Sequence, residues 1–386
     1  MNIPFHIYKP TIDRQSHFDS GTAVTLFTFP QTKGLRLDAT AFRESRRSGR
    51  AQPIDERTIL AINSNAVPQT NNRFIHWILR FLLEVPEFKI NKYKYHDSEA
   101  LKPPPATNQL PWGDLHKTIQ YMLPTMHIYE STYEGNNEII KVVLEYLGFS
   151  SVDELRRIGL EHIVVWVGDQ LTMSRLHGLQ NQHSHDWNMF ERMEWMIPMF
   201  GWFHLQMAFT NSLHAQYYGS KATLGFSHTF DILQRKELHS TSTQGTFHHT
   251  FEEALFDFEV VCFRDLWKQA AGVEDLKELQ KKNATELYGL ATNIWNMYVS
   301  TNAVMTLEQS SKKDVDELLP ITIRFNRDLL DYFELDEAMR TGDVGRMEDM
   351  LPHLLFQFVG GGSHKYAIEI LELLQGLHHE WTEEVK

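Results

Sequence analysis

The residues with the clearest chemical potential are carboxylates on separated elements. Asp169 follows the apolar run Ile163–Val167 and Gly168 in the stretch HIVVWVGDQLT (162–172). An unbroken, β-branched run of that length reads as a central strand covered on both faces. Leu171–Leu179 reads as a helix, so the acid sits where a strand stops and a helix begins. The carboxyl edge of an open α/β sheet is where ligands gather. Glu369 and Glu372 stand three residues apart in HKYAIEILELLQGLHHEW (364–381), a helix that Ser363 can cap. Ala367, Ile370, Leu371 and Leu374 form its apolar stripe. Glu369 borders that arc beside Tyr366 and Leu373. Carboxylates converging from two such elements can hold two Mg2+ about 3.5–4 Å apart, one activating water and one stabilising the leaving oxygen. Hard divalent ions take oxygen ligands, which suits Asp and Glu. The plain alternatives are that Asp169 caps a helix, and that Glu369 and Glu372 form a solvated face with a Lys365–Glu369 pair worth about 0.3 kcal/mol.

A second set of candidates is imidazole-based. His183, His185 and Asp186 fall close together, and His204 lies nineteen residues after His185. With His204 they could ligate zinc. Twenty histidines in one chain make such proximity cheap, and a core histidine with one hydrogen bond is the ordinary explanation of His204. The chain has no CxxC, HExxH, Walker loop or GxGxxG, and no Gly-x-Ser-x-Gly elbow for a serine hydrolase.

The elements that must position these residues can be read from apolar spacing. Strands are expected around 21–29, 121–129, 162–168 and 202–208, the last from the alternation Phe203-His204-Leu205-Gln206-Met207. Asn72–Leu83 and Asn137–Leu147 read as helices, the second stopped by Gly148. Ser151 and Glu154 form a capping box. From about 211 to 341 every periodic segment reads helical, including Tyr288–Val304 and Ile321–Met339. The expected fold is therefore α/β and predominantly helical. It has an α/β core over 1–210, an all-α insertion over 211–344, and C-terminal helices over 345–386 that return to the core.

Composition narrows the functional classes. The chain has 386 residues, 42% of them hydrophobic and 12% aromatic, enough for a sizeable core. A single cysteine, Cys262, excludes an internal disulfide and fits a reducing compartment. The start, MNIPFHIYKPTIDR, has no apolar signal region. The greasiest stretch, Trp195–Phe209, is too short to span a bilayer and holds Pro198, His204 and Gln206. A soluble intracellular protein is expected, with no membrane partner and with nucleus and cytoplasm undistinguished. The net charge of −13 disfavours nucleic acid as an obligate partner. The local exception is RESRRSGR, where Arg43, Arg46, Arg47 and Arg50 face Glu44 alone. That patch could reach a phosphate backbone, or it is a solvated part of a loop over 31–57.

The stretches VGDQLT (167–172), MEWMIPMFGWFHLQM (193–207), STQGTFHHTFEEAL (242–255), TGDVGRMEDMLPHLLF (341–356) and KYAIEILELLQGL (365–377) carry a resemblance. Together they resemble a family of mushroom-forming fungi, domain of unknown function 6589, over most of the chain from about Phe5. That family's pattern is similar to transposase-like proteins with a ribonuclease H-like mixed-sheet core. The resemblance implies Asp169 as the second acid of a Mg2+ site, Glu369 or Glu372 as the third, and residues 211–344 as a helical insertion. In longer members the first acid belongs to an Asp-Asn pair just ahead of a stretch like Asn2-Ile-Pro, which here would precede Met1. The implied activity is Mg2+-dependent phosphodiester cleavage from a degenerate or incomplete site. Two other classes compete with it: a non-enzymatic helical interaction module, suggested by the acidic charge and aromatic helices, and a zinc-dependent hydrolase using His183, His185 and His204.

Overall fold

The computed structural model describes residues 2–6, 18–28, 39–48, 51–219, 225–227, 229–231, 248–309, 316–383 and 385–386. In chain order the first elements are β1 (Asn2–His6), β2 (Phe18–Thr22), β3 (Thr25–Thr28), α1 (Ala39–Ser48) and α2 (Glu56–Leu83). Then come β4 (Ile119–Met122), α3 (Tyr133–Tyr146), α4 (Val152–Glu161), β5 (Val164–Gly168), α5 (Gln170–Gln182) and β6 (Met196–Phe200). The rest is helical: α6 (Trp202–Tyr217), α7 (His248–Ala271), α8 (Ala284–Tyr298), α9 (Thr301–Glu308), α10 (Leu318–Thr341), α11 (Val344–Gly360) and α12 (His364–Gln375). Among the described residues no helix is long and apolar enough to cross a membrane.

Two units divide the chain. A strand unit takes Met1–Asp55, Pro111–His204 and Ile368–Lys386, and a helical unit takes Glu56–Leu110 and Leu205–Ala367. This differs from the expected division in two places. Residues 56–110 and 345–367 group with the helices and not with the strands. The reason is α2, which begins sixteen residues before the expected Asn72. Its aromatic stripe packs inside the helical unit, with Phe81 stacked on Phe263 at 5.0 Å and Trp77 against Phe333 at 5.8 Å. Trp267 Nε1 donates to the Ile78 carbonyl at 2.9 Å.

The helical unit also buries charge. Glu334 is 0% exposed and accepts two hydrogen bonds from Arg346, both 2.7 Å, and one from Trp77 Nε1 at 3.1 Å. Arg73, itself buried, reaches it at 3.6 Å and bonds Asp349 at 2.8 Å. On α7, Glu259 is 0% exposed, and neither carboxylate oxygen has a hydrogen-bond partner.

In the strand unit the described strands make three separate two-stranded ladders. β1 pairs antiparallel with β2, β3 antiparallel with β4, and β5 parallel with β6. The expectation that β5 is covered on both faces is corrected here. Val164 and Trp166 are partly buried, but Val165 and Val167 are 51% and 59% exposed. With a partner on one edge only, β5 leaves its other edge and one face open. Pro198 fits inside β6 because a strand paired on a single edge tolerates a missing N–H.

The strand expected over 202–208 is also corrected. It forms the first turns of α6. The two-residue alternation there covers only five residues. Leu205, Phe209 and Leu213, one helical repeat apart, form a fully buried stripe over three turns and decide the structure. The loop expected over 31–57 contains α1, which packs with α4.

Candidate functional site

Asp169 sits where the sequence places it, at the end of β5, and it acts as the N-cap of α5. Its Oδ1 accepts from the Thr172 amide at 2.8 Å, which satisfies one of the free amides of the first helical turn. Gly168 makes the turn possible: a Cβ there would meet Thr172 Cβ at 2.9 Å. β5 and β6 run in register, Gly168 beside Phe200, and Gly201 N donates to the Gly168 carbonyl at 2.8 Å. Asp169→Ala is expected to cost about 1 kcal/mol in urea unfolding, with Asp169→Asn near neutral because an amide oxygen caps as well. Equal losses in the two variants would mean that the negative charge, and not the cap, is what the fold uses.

Glu369 is buried on α12, close to the arc expected of it, with Ala367, Ile370, Leu373 and Leu374. Leu371, expected in the stripe, is exposed, and so is Glu372. The partner of Glu369 is His177 on α5, whose Nε2 lies 3.3 Å from Oε2. His177 follows the fully buried Met173 by four residues and shares its helix face. Both line a cleft with Ile197–Phe200, Glu372, Glu380 and Trp381. Trp381 is seated by Gly376, where a Cβ would come within 2.4 Å of the indole. The cleft holds about 40 Å³, room for a few waters. An organic ligand of ordinary size needs ~300 Å³ or more.

The structure therefore pairs Glu369 with His177 and engages Asp169 with its own helix. Asp169 and His204 are not among the residues lining the cleft. His204 is exposed at the start of α6, against Phe203. His183 Nδ1 is 2.5 Å from Asp186 Oδ2, a local pair. Among the described residues no three His, Cys, Asp or Glu side chains converge to hold a metal ion. Neither the Asp169, Glu369, Glu372 and His204 set nor the zinc set of His183, His185 and His204 forms such a group.

The proposed nucleic-acid patch also changes. Arg43 is buried on α1 and donates to the carbonyls of Leu160 and, at 3.1 Å, His162 at the end of α4. Burial lowers its pKa, against the pull of Glu194. It secures α1 and is withdrawn from any phosphate. The side chains of Arg46, Arg47 and Arg50 lie outside the described residues.

Sequence reasoning missed His177, Glu380 and Trp381, and a second constellation in the helical unit. There His353 Nδ1 meets Asp331 Oδ1 at 2.9 Å, beside a cavity of about 350 Å³ lined also by Asn71, Trp295 and Asn302. Burial raises the Asp331 pKa. For His353 burial works against the imidazolium, but Asp331 overrides it and raises the pKa. Asp331 and His353 are twenty-two residues apart on α10 and α11, and no short motif marks them.

A parallel strand pair joined through α5, an acid at the strand end, a helical unit, and a last helix coming back to the strands define a two-unit α/β protein of mainly helical content. The chain belongs to the family of unknown function DUF6589, which it matches over residues 49–386. Neither the curated proteins nor the solved structures contain a match to it.

Proposed function

We propose that this chain derives from a ribonuclease H-like, transposase-type domain and that its Mg2+ site is incomplete, leaving a non-cleaving protein. The order of elements supports the derivation: strand, Asp169, helix, parallel strand, helical unit, and a late helix whose buried acid returns to β6. One observation carries the loss of cleavage. The two acids that such a site needs are spent separately, Asp169 on the Thr172 amide and Glu369 on His177. These residues do not fit a shared Mg2+ pair, and no catalytic step is derived through one.

The purified chain, incubated with Mg2+ or Mn2+ and with supercoiled DNA or an RNA–DNA hybrid, should give no cleavage above that of the Asp169→Asn, Glu369→Gln double variant. Metal-dependent cleavage that disappears in the double variant would overturn the reading and restore an active site. The interaction-module alternative shares the prediction of no cleavage. Binding measured against salt separates the two: a steep fall in DNA affinity with salt belongs to a transposase derivative, and negligible affinity at low salt belongs to the module.

A further inference from the structure

Apart from the His177 cleft, the strand unit contains a cavity of about 200 Å³ whose lining is almost wholly apolar. Its borders have an unusual form. Ile163, Val164, Val165, Trp166 and Val167 all line it, and so do Val24, Thr25 and Leu26. Side chains alternate between the faces of a strand, so a cavity lying over one face touches every second residue. A cavity touched by consecutive residues of two strands runs along their edges. Those edges are unpaired: among the described residues β5 pairs only with β6, and β3 only with β4. Helix α3 supplies a common floor. Val24, Leu123 and Trp166 all pack on the cluster of Met126, Ile139 and Val143.

The register of β1 says how this space is reached. Thr22 pairs with Asn2 on one side and with Met126 on the other. A strand has two edges, so β1 and β4 lie on opposite edges of the line that β2 and β3 form. The free edge of β3 is therefore the β1 side. β1 pairs antiparallel, with Asn2 opposite Thr22 and Ile3 opposite Gly21. Continued backward in that register, Met1 stands opposite Ala23, and the residue ahead of Met1 stands opposite Val24. The next two face Thr25 and Leu26, inside the cavity.

We propose that this cavity is a strand slot, filled by an extended apolar segment that leads directly into β1 and joins the β3–β4 and β5–β6 ladders into one sheet. Exposed β-branched residues on an unpaired edge, such as Val165 and Val167, are what such a strand would cover. The recognition is β-augmentation: main-chain hydrogen bonds to both edges, with alternate side chains on the apolar floor. His162 is the single titratable residue in the lining, so the segment is uncharged where it enters. At about 200 Å³ the slot suits side chains of valine size and not a drug-sized organic ligand, which needs ~300 Å³ or more. A strand from another polypeptide would have to end where β1 begins, whereas a segment continuous with β1 passes straight in. The inference rests on backbone pairing and is independent of the roles given to Asp169 and Glu369.

The test extends the full chain ahead of Met1 by a short apolar, β-branched leader, with a charged leader of equal length as control. The readout is amide hydrogen exchange at 24–26 and 163–167. The apolar leader should slow exchange there by about tenfold or more, and the charged one should leave it unchanged. Identical exchange in both would overturn the proposal. So would equal protection by the free apolar peptide added to the unextended chain, which would assign the slot to a separate polypeptide. A register-specific check covers poor folding of the apolar leader. With Cys262→Ser, a cysteine placed immediately ahead of Met1 should form a disulfide with Val24→Cys, since directly opposed residues bring their Cβ atoms within bridging range. A cysteine two residues further upstream should not. Indiscriminate crosslinking, or none, counts against the slot.

Discussion

Glu334→Ala is expected to destabilise the helical unit by about 3–5 kcal/mol, the largest single loss predicted for this chain. The carboxylate is fully buried and holds Arg346 through two 2.7 Å bonds, with Arg73 at 3.6 Å and the Trp77 indole at 3.1 Å. Burial alone would lower the Arg346 pKa, and the bond to Glu334 raises it. Removing the acid leaves Arg73 with Asp349 and Thr107 only, and Arg346 with the weaker 3.3 Å contact to Glu337. An uncompensated buried cation costs far more than the ion pair contributes. The control is Glu84→Ala, which removes an exposed partner of Arg80 and should cost no more than about 1 kcal/mol. Urea unfolding of the three proteins settles the ranking, and a Glu334→Ala loss no greater than that of Glu84→Ala refutes it.

Glu259→Leu should work in the opposite direction, stabilising the chain by about 1–3 kcal/mol near neutral pH, the cost of a buried polar group without a partner. Glu259 is enclosed on α7 between the buried Leu255 and Phe263, one turn to either side, and both its oxygens lack partners. Burial pushes its pKa well above the usual carboxylate range. The sign follows from linkage. In the unfolded chain the group ionises at the ordinary, lower pKa, so above that pH folding must take up a proton. Stability is therefore lost progressively as pH rises from the unfolded to the folded pKa, and below that window the penalty vanishes. The gain from Glu259→Leu should accordingly be larger at about pH 8 than at about pH 5. A gain that is flat with pH would mean that the carboxyl is already ionised in the folded protein.

Much of the strand unit was legible in the sequence because its signals are local. Gly168–Asp169 ends a β-branched run with a capping acid, and Ser151 with Glu154 closes a capping box; both contacts form within four residues. The C-terminal helix was also visible, with Glu369 at the border of its apolar arc. What was not legible depends on partners distant in the chain. Whether Val165 and Val167 are covered depends on what pairs beside β5, and no property of 162–168 records that. His177 meets Glu369 across 192 residues, and Arg43 reaches Leu160 and His162 across more than a hundred. The error over 202–208 came from weighing a five-residue alternation above the longer Leu205–Phe209–Leu213 stripe. The fourfold metal set was an inference from residue type, and side-chain geometry dispersed it.

The strand unit is assembled from three stretches, and the last, Ile368–Lys386, is separated from the others by the whole second block of the helical unit. During synthesis α5 and β6 leave the ribosome long before the helix that covers them. At about 5–20 residues per second, the 167 positions between Phe200 and Ile368 take roughly ten to thirty seconds to emerge. For that interval the nascent chain carries an apolar, half-finished sheet. The helical unit can be completed first, which makes it the natural scaffold of biogenesis and the strand unit the stage at which chaperones matter most.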